Sequence, residues 1–88
     1  MEWAVIIPLV IEAIMACLEN RDRTEIIEGL ANPGPRETLA LWRVLRSQGF
    51  RGRKLYAALR EGLQAMQSAT RSELTSLVDA AEEARAAQ

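Results

Sequence analysis

The chain contains no histidine in 88 residues and a single cysteine, Cys17. Without imidazole there is no histidine general base, no Ser-His or Cys-His nucleophile pair, and none of the histidine-bearing ligand sets of most zinc and carboxylate-bridged di-iron sites. One cysteine forms no internal disulfide framework and fits a reducing compartment. Within Met15-Ala16-Cys17-Leu18 it reads as a small apolar packing residue with no cationic neighbour to favour the thiolate. Glycine-rich phosphate loops are missing too, since neither a P-loop nor a GxGxxG motif occurs. Ser47, Ser68, Ser72 and Ser76 have no histidine partner, and a Ser-Lys pair would need Lys54, whose neighbours mark a surface turn. The chain is therefore not expected to be an enzyme, and no cofactor, metal or small-molecule substrate is expected.

An apolar run of bilayer length is also lacking. Residues 3 to 18 are rich in Ala, Val, Ile, Leu and Met, but Glu12 interrupts them and Glu2 precedes them, whereas a span needs about 20 apolar residues. A cationic start and a small-residue cleavage site, the marks of a secretory signal, are not evident. The expectation is a cytoplasmic protein without membrane attachment.

What is present is an ordered, globular composition, 49% hydrophobic and 26% charged, in a chain of one-domain length spanning residues 1–88. A chain this short buries only about 60–65% of the surface it exposes when unfolded, so a partner would add to a modest core. The charge is sorted into blocks. Residues 1 to 35 hold six acids against two arginines, net −4; residues 36 to 60 hold seven cations against Glu37, net +6; residues 61 to 88 hold five acids against two arginines, net −3. The total of −1 conceals this.

Punctuation at residues 20–23, 32–35, 49–52 and 68–70 divides the chain into five segments, which predicts an all-α compact bundle of about five short helices. Pro8 suits the first turn of a nearly all-apolar first helix running to about Glu19, with residues 3–7 either helical or extended. Asp22 with Glu25 reads as a capping box opening a second helix to about Ala31. Pro35 fits the first turn of a third, striped by Leu41, Trp42 and Leu45, with Gly49 as its C-terminal cap. Leu55, Leu59, Gly62, Leu63 and Met66 stripe a fourth, where Gly62 hints at a close approach of another backbone. Thr70 and Glu73 box the start of a fifth, striped by Leu74, Leu77, Val78 and Ala81.

Two features point to function. The apolar first helix supplies candidate protein-interface residues Trp3, Ile6, Leu9, Val10 and Ile14. The basic segment supplies candidate anion or nucleic-acid contacts: Arg43, Arg46, Phe50, Arg51, Arg53, Lys54 and Arg60. Phe50 is read two ways, as an aromatic that stacks on a base or as a plug under the turn. Asp79, Glu82 and Glu83 could hold a hard cation, but read better as a solvated helix face. Gly49-Phe50-Arg51-Gly52, followed by Leu55 and Leu59, is similar to the GXXG loop of KH domains. That resemblance covers about a dozen residues and implies a nucleic-acid clamp beside a three-stranded sheet, of which residues 3–7 are the one candidate strand. Residues 41 to 62 also admit a helix-turn-helix reading. The leading expectation is a non-enzymatic assembly subunit that self-associates or docks on a protein partner, and the alternative is a small subunit that binds a nucleic-acid backbone.

Overall fold

The computed structural model describes residues 3–18 and 21–87, with side chains from Ile6 onward. Among them the chain forms five helices and no strand: α1 (Trp3–Cys17), α2 (Arg23–Ala31), α3 (Pro35–Ser47), α4 (Gly52–Ser68) and α5 (Arg71–Ala86). The all-α bundle is as expected, and without strands the KH-like reading of residues 49–52 does not hold. No helix is long and apolar enough to cross a membrane among the described residues.

α1 packs against α3 and α5 and touches α4, α2 closes on α5 and α4, and α3 lies along α4. The globule measures 33 × 28 × 23 Å. One hydrophobic cluster draws on all five helices, with Val10, Ile14, Leu41, Leu45, Leu74 and Val78 at its centre.

α1 begins five residues before Pro8, so residues 3–7 are helical rather than extended, and the proline sits inside the helix instead of in its first turn. Pro8 removes one intrahelical N–H···O bond, a loss of about 3 kcal/mol in a helix interior. Burial offsets it: Ile6, Val10 and Ile14, four residues apart, form one stripe with exposures of 2%, 0% and 2%. Pro8 itself faces outward.

α2 starts at Asp22, whose side chain accepts the Glu25 N–H at 2.9 Å. The expected box is only half closed, because the Glu25 carboxylate lies 3.9 Å from Arg21 Nε instead of returning to the cap. At α5 both halves form: Thr70 Oγ1 accepts the Glu73 N–H at 3.1 Å, and the Thr70 N–H donates to Glu73 Oε1 at 3.0 Å. The Leu74, Leu77, Val78 and Ala81 stripe is buried as expected.

Between α3 and α4 the chain makes a Schellman turn. Gly49 adopts φ +98°, its N–H donates to the Arg46 carbonyl, and the Phe50 N–H reaches back to the Leu45 carbonyl, each at 3.1 Å. Gly49 therefore ends α3 as expected, one residue beyond the cap. The close approach expected at Gly62 is real, but it comes from a side chain: Leu41 lies over the glycine, with Ile6 nearby.

Candidate functional site

Helical spacing decides which cations face out. In α3, Leu41 and Leu45 point into the core, which puts Arg36, Leu39, Arg43 and Arg46 on the opposite face. In α4, Leu55, Ala58, Gly62 and Met66 are buried, which puts Arg53, Tyr56 and Arg60 outside. Leu39 and Tyr56 are the two large hydrophobic side chains exposed among the described residues, at 45% and 67%. Each is bracketed by arginines three residues before and four after: Arg36 and Arg43 about Leu39, Arg53 and Arg60 about Tyr56. That spacing sets each apolar side chain beside two guanidinium groups on one helix face.

All seven cations of residues 36–60 are exposed, and among the described residues none pairs with a carboxylate. Arg46 stacks over Trp42, with its guanidinium carbon 5.1 Å from the ring centre. Arg51 is turned to its own backbone, donating to the Arg46 and Phe50 carbonyls at 2.7 Å each, and so serves the turn first. Lys54 is exposed at the start of α4. Phe50 packs against the core cluster, so it is the plug under the turn and is not placed to stack on a base. The exposed aromatic of this surface is Tyr56, which the sequence reading passed over.

Arg21 and Arg23, outside the block, behave differently. Arg21 Nη1 donates to Glu37 Oε2 at 2.6 Å, and Arg23 binds Asp79 and, at 3.0 Å, Glu82. Two of the three acids considered for a hard cation are thereby occupied by a guanidinium. Burial opposes ionisation of Glu37, but the Arg21 hydrogen bond and the Gly34 N–H, 2.9 Å from Oε1, outweigh it and hold the carboxyl below its ordinary value. Gly29 makes the room, since a Cβ there would stand 3.0 Å from the Glu37 carboxyl carbon. The cavity beside this pair is only about 10 Å³, room for one water at most, so the pair serves the fold rather than a ligand. Burial, and then the charge of Glu37, push the Cys17 thiol up and disfavour a thiolate.

The apolar candidates on α1 divide. Ile6, Val10 and Ile14 are spent on the chain's own core and have no surface to offer a partner; an all-apolar helix in a small bundle is used first to fill its centre. Leu9 is half-buried, as are Ile7, Ile11 and Met15. The Trp3 side chain lies outside the described residues. A groove of about 430 Å³ runs between α1 and α3, lined by Ala16, Cys17, Leu39, Ala40 and Val44 together with Arg21, Arg36 and Arg43.

Comparison with known proteins finds no family model that matches the chain, no similar curated protein and no similar solved structure.

Proposed function

We propose that the chain is a non-enzymatic helical interaction subunit that docks, through the basic outer faces of α3 and α4, onto an acidic surface of a protein partner. The observation that carries this reading is the contrast among its arginines. Arg21 and Arg23 are paired with carboxylates, whereas the cations of residues 36–60 are exposed and meet no carboxylate among the described residues, Arg46 lying over Trp42 and Arg51 on the backbone of its turn. Unpaired like charges on adjoining helices repel one another, a cost that an acidic partner reverses. Leu39 and Tyr56 supply the apolar contacts that arginines alone do not. A reducing compartment such as the cytoplasm suits the single thiol.

A second reading, contact with a nucleic-acid backbone, is favoured by one feature: Tyr56 is an exposed ring between two arginines, an arrangement that stacks bases. The net charge of −1 and pI near 5.4 weigh against it.

One titration separates the two. Fluorescently labelled chain is titrated with polyglutamate and, in parallel, with single- and double-stranded oligonucleotides across a salt series. The protein-docking reading expects saturable binding to the acidic polypeptide, lost when Arg53 and Arg60 are both changed to Glu, and weak or no binding to oligonucleotides. Preferential, steeply salt-dependent oligonucleotide binding lost on the same reversal selects the second reading. Binding to neither at low salt removes both.

A further inference from the structure

Two grooves of similar size open on the bundle, about 430 Å³ between α1 and α3 and about 420 Å³ between α2 and α5, and they differ in charge. The second carries its own acid: Glu82 lines it beside Arg23 and accepts a hydrogen bond from that guanidinium at 3.0 Å. The first is lined by Arg21, Arg36 and Arg43 and by no acid. Arg21 is held by Glu37, whereas Arg36 and Arg43 are exposed and meet no carboxylate among the described residues. Between these two in α3 comes Leu39, 45% exposed, and the rest of the lining, on both helices, is apolar.

Such a lining is complementary to an occupant that is anionic at two points and apolar between them. Arg36 and Arg43 are seven residues apart in one helix, a rise of about 10 Å. A single-headed anion such as a fatty acid therefore satisfies one guanidinium and leaves the other. A nucleic-acid backbone supplies charge at both points but nothing aliphatic for Leu39. An amphipathic helix supplies both, because acids seven residues apart recur at the same rise on one face, with an apolar residue between them. We propose that the α1–α3 groove seats an acidic amphipathic helix of a protein partner, with one carboxylate on Arg36, another on Arg43 and an apolar side chain against Leu39. Each guanidinium can take a carboxylate on two parallel hydrogen bonds, which fixes the position and register of the helix. The apolar surface of Leu39, Ala40 and Val44 contributes the association energy. The inference rests on the docking reading and narrows it to one groove and one kind of partner element.

The probe is a labelled, synthetic helical peptide in which one leucine has a glutamate three residues before it and another four after. A control peptide of the same composition carries the two glutamates on the opposite helix face. Each is titrated into the full chain, into the Arg36→Glu, Arg43→Glu double variant, into Leu39→Ala, and into the Arg53→Glu, Arg60→Glu double variant. All five positions are exposed, and circular dichroism verifies that each variant stays folded. The expected result is saturable binding of the patterned peptide, weakened about tenfold in the control peptide and by the Arg36 and Arg43 reversal. Leu39→Ala should weaken it several-fold, and the Arg53 and Arg60 reversal should leave it nearly unchanged. A patterned peptide with lysine in place of both glutamates should bind the Arg36 and Arg43 reversal and not the wild-type chain. Bound peptide should also slow the reaction of Cys17, which lines the groove, with a maleimide. Absence of binding overturns the inference, as do equal affinity for the two peptides, indifference to the Arg36 and Arg43 reversal, an unchanged Cys17 rate, or displacement of the peptide by an equal concentration of octanoate. Polyglutamate binding that persists through such a failure and depends on Arg53 and Arg60 leaves the docking reading in place without this groove. If polyglutamate binding is absent as well, both fall.

Discussion

Leu41 occupies the space that a side chain at residue 62 would need: its Cδ2 stands 2.7 Å from where a Cβ on Gly62 would lie. Leu41 is 1% exposed and enclosed by the core, so it cannot step aside freely. Gly62→Ala gains up to about 1 kcal/mol of helix propensity. It loses about 1–3 kcal/mol to overpacking, and the expected outcome is a net destabilisation in urea melts. In a Leu41→Ala background the sign should reverse, because the obstructing methyl is gone. A stabilising Gly62→Ala in the wild-type chain would show that the α3–α4 contact is looser than described.

The Arg21–Glu37 pair should make stability pH-dependent. Glu37 titrates lower in the folded state than in the unfolded one, so its contribution is complete above about pH 4.5, the ordinary glutamate value, and is lost as pH falls through the lower folded value. Glu37→Gln leaves Arg21, 16% exposed, with Glu25 at 3.9 Å as its one carboxylate neighbour among the described residues, and should cost about 1.5–3 kcal/mol at neutral pH. The variant should also lose stability less steeply than wild type on acidification below pH 4.5. Denaturant melts at several pH values measure both effects. Equal acid sensitivity in the two proteins would remove Glu37 from the explanation.

At the start of α5 the two halves of the cap are separable. Thr70→Ala deletes the hydroxyl that accepts the Glu73 N–H and should cost about 1 kcal/mol. It keeps the Thr70 backbone N–H, the larger cause of the lowered Glu73 value, ahead of the side-chain contact with Thr70. Carboxyl titration by NMR should therefore find Glu73 still below the ordinary glutamate value in the variant. A full return to that value would assign the effect to the hydroxyl instead.

What was legible in the sequence is what depends on neighbours within a turn or two. α5 could be read to its cap because Thr70, Glu73 and the stripe from Leu74 to Ala81 all fall within a dozen residues. α1 could be read as apolar but not placed, because Pro8 is as acceptable in a first turn as inside a helix anchored by Ile6, Val10 and Ile14, and only the core decides. The same core reassigns three of the five apolar interface candidates to internal packing. The Arg21–Glu37 pair joins residues sixteen apart whose meeting depends on how α2 and α3 are connected, which no local pattern encodes. Tyr56 and Leu39 had a usable signal that went unread: each is out of register with the buried residues of its own helix and flanked by arginines at matching distances.

On the docking reading, the turn between α3 and α4 bears on how tightly a partner would be held. Its backbone is fastened by the Gly49 and Phe50 amides and by the Arg51 guanidinium, and Phe50 plugs it from beneath. A tip fastened in this way has little freedom left to surrender on association. On the docking reading, the two helices set the backbone positions of their arginines at fixed intervals, so selectivity is expected to fall on the spacing of a partner's acids rather than on their number.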